Sequence, residues 1–185
     1  MVSSNELIRD FVNTLHKDLY GDVEDLSGPA ALRDWLHGHG VLDGGRATSG
    51  DVGRAIELRE ALRVLLLANN EIEIETADAW AVLDRASRRG RVELRFGDGR
   101  PELVPAGPGV AGALGRLVAA VHAAVADGSW RRLKACRAED CEWAFIDTAR
   151  NQSRAWCSMR SCGNREKARA YRRRHTPETA PQQRV

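Results

Sequence analysis

Apolar residues recur at helical spacing from the start of the chain. Ser3-x-x-Glu6 forms a capping-box pattern ahead of Leu7, Ile8, Phe11, Val12, Leu15 and Leu19. These residues predict one buried helix face, stopped by Gly21. Pro29 predicts the start of a second helix through Ala31, Leu32, Trp35 and Leu36, ending in Gly38-His39-Gly40. Beyond Asp43-Gly44-Gly45 the pattern predicts a long helix over Ser49–Asn70, with Val52, Ile56, Leu58, Leu62, Leu65 and Leu66 turned inward. Thr76 is placed to cap another helix, which has Trp80, Leu83 and Ala86 on its core side and ends at Gly90.

The period then changes. Arg91 to Phe96 alternates polar and apolar residues, which predicts a half-buried strand. Residues 97–101 read as a turn and Glu102–Pro105 as the returning strand. Pro108 and Gly109 precede a last helix of this region, through Leu114, Leu117, Val118, Val121 and Val125 to Asp127-Gly128. Residues 1–128 thus predict a mostly helical α+β body with a small β-hairpin. Its apolar runs, such as Val64–Ala68 and Leu117–Val121, are too short to predict a membrane span. A second unit is expected over 129–175, followed by a disordered tail over 176–185 that holds two prolines and two glutamines.

Charge separates the two units. Residues 1–128 carry 14 Lys+Arg against 20 Asp+Glu, a net of −6, whereas residues 129–175 carry 13 against 5, a net of +8. An acidic body joined to a basic module implies that only the module meets a polyanion.

All four cysteines of the chain lie in that module, as Cys136-x4-Cys141-x15-Cys157-x4-Cys162. Two thiol pairs in a short segment suit a structural zinc ion, which takes four N or S ligands in a closed tetrahedron. The alternatives are two disulfides or unrelated buried thiols. Disulfides belong to oxidised, secreted proteins, and the N-terminus shows no signal-peptide pattern, so a cytoplasmic protein is expected. None of the five histidines lies inside the window. Four thiolates close the shell and leave no open position for catalysis, which makes the expected ion a fold-holding clamp. The segment reads as a first knuckle, a short strand over Trp143–Asp147, a polar loop, a second knuckle and a basic helix over Gly163–Arg174. That order is treble-clef-like. Trp143, Phe145 and Trp156 are expected to form its small core, with base stacking as the alternative.

The residues Phe145-x-Asp147-x-x-Arg150-Asn151, Trp156-Cys157-Ser158-Met159 and Cys162-Gly163-Asn164-Arg165-x-Lys167 resemble the CGNR zinc finger. The body, with Asp10-Phe11-Val12-Asn13-Thr14 near its start, is similar to the ABATE domain, a stress-induced transcription regulator domain that precedes this finger in bacteria. The resemblance implies a DNA-binding regulator. One departure is that Arg154 is followed by Ala155 where a basic pair is expected in many members, which removes one phosphate contact.

Arg165, Arg169, Arg172 and Arg173 recur at helical spacing, flanked by Lys167 and Arg174, with Arg150, Arg154 and Arg160 on the loop and second knuckle. These cations can neutralise phosphates of double-stranded DNA, and Asn151 and Asn164 can reach base edges. The rival reading docks the basic helix on an acidic protein surface; a third makes the thiolates a redox switch. No nucleophile elbow, phosphate loop or dinucleotide fingerprint is present, so no enzyme activity is expected. Asp10, Asn13, Thr14, Trp35 and Trp80 are candidates for a small-molecule effector pocket, with plain solvation and packing as the simpler reading. A homodimer would suit a regulator that reads two half-sites, but no coiled-coil pattern specifies one.

Overall fold

The computed structural model describes residues 3–17, 21–97 and 99–175. The chain runs α1 (Ser4–Val12), β1 (Leu15–His16), β2 (Val23–Glu24), α2 (Pro29–Gly38), α3 (Ser49–Asn69), α4 (Ala77–Arg89), β3 (Val92–Gly97), β4 (Arg100–Pro105) and α5 (Gly109–Ala126). After a 3-10 turn over Ser129–Arg132 come β5 (Leu133–Ala135), β6 (Ala144–Ile146), a π-helical turn over Met159–Gly163 and α6 (Asn164–His175). Among the described residues the strands form three separate antiparallel pairs, β1–β2, β3–β4 and β5–β6. This is the expected α+β class, and the tail expected to be disordered lies outside the described residues.

The capping box at Ser3 forms as the sequence implies: its hydroxyl accepts from the Glu6 amide while the Glu6 carboxylate accepts from the Ser3 amide. The helix it starts is shorter than its apolar pattern. Thr14 donates its hydroxyl to the Phe11 carbonyl at 2.8 Å, and Arg63 donates to the Val12 carbonyl at 2.8 Å. Carbonyls of the last turn are thereby satisfied from outside the helix. Leu15 continues as strand instead of helix, and Leu19 lies outside the described residues.

Helix α3 is the axis of the body, packed by α1, α2, α4, α5 and β5. Leu58, Leu62, Leu65 and Leu66 are buried on it as expected. Two arginines share that interior. Arg59 is 2% exposed and forms a two-pronged ion pair with Glu24 at 2.6 and 2.8 Å. Burial would push the Glu24 carboxyl up, but the Arg59 guanidinium and the Leu26 amide outweigh it and hold it below the usual range.

Helix α4 corrects one expectation. Its inward stripe is Ala79, Leu83 and Ala86, and Trp80 sits at its edge, 46% exposed. Thr76 caps the helix without a side-chain bond; the Glu75 carboxylate takes the Thr76 and Ala77 amides instead, at 2.8 and 2.9 Å.

The β3–β4 hairpin forms in the expected place, but only its base is covered, and Leu94 and Phe96 are exposed. Glycines let α5 seat against that base. A Cβ at Gly112 would stand 2.1 Å from the Gly107 carbonyl oxygen.

Helix α5 as a whole is 18 residues long with a mean hydropathy of 1.6, enough by length and composition to cross a membrane. It is the core helix of the fold, half buried, with Val110, Leu114, Leu117 and Val121 facing the interior against α1 and α4. Val125, expected inward, lies exposed on its last turn.

Candidate metal centre

The four cysteines converge. Their sulfurs lie within 4.8 Å of one another, with Cys141–Cys157 at 3.6 Å and Cys157–Cys162 at 3.7 Å. A disulfide would place two sulfurs about 2.05 Å apart. Four thiolates each about 2.3 Å from one ion at tetrahedral angles lie about 3.8 Å apart. The donor set therefore fits a tetrahedral cation of the zinc type, and all four thiols are unpaired in the disulfide sense.

The backbone places each thiol. Cys136 and Cys141 flank the turn of the β5–β6 hairpin, so one strand leads into each end of the first knuckle. Glu142 adopts φ +47°, which turns the chain sharply back into β6. Cys157 precedes the π-helical turn and Cys162 lies within it, so the second pair opens α6. The hairpin thus holds the first pair at its tip, and β6 leads on towards the second. Gly163 permits a close approach: a Cβ there would meet the Met159 sulfur at 2.5 Å.

Thiols this close cannot all ionise on their own. Hydrogen bonds from Cys141 and Cys157, helped by the Ala138 and Cys157 amides, push Cys136 down to about 2. The bond with Cys136 pushes Cys141 up to about 12, and bonds with both push Cys157 up. A bound divalent cation removes this conflict by favouring the thiolate at every position. Arg165 adds a positive charge beside the cluster, its guanidinium 3.4 Å from the Cys162 sulfur.

The structure separates the cations of the module into two groups. Arg165 and Arg169 both pair with Asp140 of the first knuckle, at 2.9 and 2.6 Å. The Arg169 hydrogen bond holds the Asp140 carboxyl below its usual range. These two arginines tie α6 to the knuckle. Arg154 is likewise committed: it donates to the Cys157 carbonyl at 2.7 Å and lies over the Phe145 ring at 5.1 Å. Arg150, Asn151, Arg160, Asn164, Lys167, Arg172 and Arg173 are solvent-exposed.

Lys134 and Asp147, both buried, organise the polar loop. The Lys134 ammonium donates to Asp147 at 3.0 Å, and Asp147 also accepts from the Ala149 and Arg154 amides. Phe145 is buried in the finger core and Trp156 packs against it; Trp143 meets His16 of the body edge-on at 4.9 Å.

The expected effector-pocket residues do not all line one cavity. Asp10 and Asn13 border an open groove between α1 and β6, walled also by Trp143, Phe145 and Cys157. Asn13 is itself buried, donating to the Ala144 carbonyl at 3.0 Å and accepting from the Ala144 amide at 2.7 Å. Thr14 is buried under Arg59. Trp35 packs on Phe11 and stacks with His39. Trp80 is exposed on α4, at the edge of that helix's core stripe.

Asn13 belongs to a set of residues that the sequence reading did not identify as a joint between body and finger. Asn70 donates to the Ala135 and Ala155 carbonyls at 2.7 and 2.9 Å. Arg63 reaches the Glu142 carbonyl at 2.9 Å. Lys17 pairs with Glu142 at 2.6 Å. Ala155, where a basic residue was expected, is buried in this joint, so a phosphate contact from that position has no room. A polar residue on an apolar helix face, as at Arg63, was the available signal.

The fold and the site define a class: a helical α+β body joined to a four-cysteine finger. A family model for the CGNR zinc finger matches residues 132–175. The ABATE model, described as "Putative stress-induced transcription regulator", matches residues 5–133, more than half of the chain. The chain belongs to the ABATE family and carries a CGNR zinc finger. No curated protein matches it. The two matches meet in β5 and the turn before it, within the joint described above.

Proposed function

We propose that the protein is a zinc-dependent, DNA-binding transcription regulator. One zinc ion, held by Cys136, Cys141, Cys157 and Cys162, fixes the hairpin, the loop and α6 in one arrangement. The role is binding and requires no catalysis. The observation that carries the reading is the exposure of Arg150, Asn151, Arg160, Asn164, Lys167, Arg172 and Arg173 around this centre, on a unit of net charge +8. Cations spaced along a helix and an adjoining loop neutralise phosphates of a duplex and release counterions. The body supplies the regulatory input. A small effector in the groove beside Asn13 would touch both α1 and the ligand Cys157, and so alter how the finger is held.

The test is a salt titration of duplex DNA binding by the intact, zinc-loaded protein. Affinity is expected to fall steeply and linearly on logarithmic axes as salt rises. Absence of binding at low salt would contradict the reading and favour a finger that docks on an acidic protein surface.

A further inference from the structure

The basic helix has two faces, and they are built differently. On the inner face Arg165, Glu166, Arg169 and Ala170 are half-buried, and the two arginines are consumed by Asp140. Glu166, the one carboxylate of α6, also lies there and pairs with Arg169. On the outer face Asn164, Lys167, Ala168 and Tyr171 are exposed, at the i, i+3, i+4, i+7 spacing of one helical stripe. Arg174 and His175 continue that stripe at the next turn. Tyr171 is 59% exposed, and its ring stacks on His175 at 4.0 Å.

Resting on the DNA-binding reading above, we infer that this outer stripe is the surface that enters the duplex groove, and that Arg165 and Arg169 are positioning residues that never touch DNA. Helical spacing alone had grouped Arg165, Arg169, Arg172 and Arg173 as one binding face. The stripe has the residue types that groove reading requires. Asn164 offers the paired donor and acceptor that match an adenine edge, Lys167 and Arg174 serve phosphates or guanine, and the small Ala168 lets the helix approach closely and meets a thymine methyl. It carries no carboxylate to repel phosphates. An α-helix fits the major groove, which is about 12 Å wide. The stacked Tyr171–His175 pair presents a rigid aromatic edge at low entropic cost.

Two double variants of the full-length protein test this assignment, because each removes two positive charges. Lys167→Ala/Arg174→Ala empties the outer face; Arg165→Ala/Arg169→Ala empties the inner one. Each is titrated with salt against a mixed duplex after its zinc content is measured. The outer pair is expected to lower affinity at least about 10-fold and to flatten the logarithmic salt slope by up to about 2. The inner pair is expected to keep the wild-type slope while losing thermal stability and zinc retention. Asp140→Asn removes the brace and leaves every arginine in place; it is expected to lose zinc more readily and, when zinc-loaded, to keep the wild-type slope. Tyr171→Ala is expected to weaken binding about 10-fold with no change in slope. Equal flattening by both double variants, or flattening by the inner pair or by Asp140→Asn, would overturn the two-face assignment while leaving DNA binding intact. A zinc-loaded wild type that binds no duplex would overturn the DNA-binding reading and the assignment with it.

Discussion

The body and the finger of this protein hold themselves together by different means. The body buries a continuous apolar core around α3, with Leu58, Leu62, Leu66 and Leu117 almost wholly withdrawn from water. In the finger the separate buried cluster comprises only Cys136, Ala138, Phe145 and Cys162, and two of those are candidate metal ligands. A core that small cannot offset the entropy of ordering its own chain. The finger therefore depends on two outside supports, the metal centre and a joint to the body that combines polar contacts with Leu133, Ala135 and Ala144 buried in the body's apolar core. The general lesson is that a basic module with a small core of its own can be held by coordination, by hydrogen bonds and by lending its hairpin to a neighbour's apolar core.

The comparison can be broken most sharply at a ligand. Cys157→Ser is expected to abolish zinc binding and unfold the finger, since apparent zinc affinities of about 10–16 kcal/mol are folding free energy in such modules. The body should still unfold cooperatively by circular dichroism. A single undiminished transition, with metal retained, would show that the finger does not need the centre.

The next effect is expected at the joint. Asn70→Ala leaves the Ala135 and Ala155 carbonyls without their partner, at a cost of about 2–4 kcal/mol. Amide exchange in β5 and the polar loop should quicken while the α5 amides stay protected. Uniform loss of protection through α5 would instead make body and finger one cooperative unit.

A smaller effect, confined to the body, is expected from Glu24→Gln, at about 1–2 kcal/mol above neutral pH. The Glu24 carboxyl is held low in the folded state. Its contribution is therefore fully present above its unfolded value of about 4.3 and is lost as pH falls through the depressed folded value. The stability difference between wild type and variant, followed by urea unfolding across pH 7 to 3, should be constant first and then shrink. Zinc content should not change; zinc loss at neutral pH would mean that the Arg59–Glu24 pair supports the finger as well.

The smallest effect is expected at Trp80, exposed on α4. Trp80→Ser should change stability by less than about 0.5 kcal/mol. A loss several times larger would place Trp80 in a contact absent from the isolated chain.

The body's elements were legible because their apolar residues repeat at helical period, and the metal centre because four cysteines stand in two equal pairs. Turn chemistry was less legible. The end of α1 depends on Thr14 and on Arg63, which arrives from 51 residues away. Trp80 was assigned inward because it stands three residues before Leu83, although the stripe Ala79–Leu83–Ala86 is the one that packs. The basic helix was legible as a helix, but its orientation depends on Asp140, 25 residues before Arg165. Nothing in the spacing of the arginines shows that a carboxylate from another knuckle claims two of them.

The measurement that tests the account most directly is native mass spectrometry of the purified protein with and without a chelator, alongside thermal unfolding of the same samples. The account predicts one zinc per chain with four reduced cysteines, and a distinct loss of finger structure when the chelator removes the metal. A metal-free chain carrying two disulfides, with the finger structure and stability intact, would contradict it.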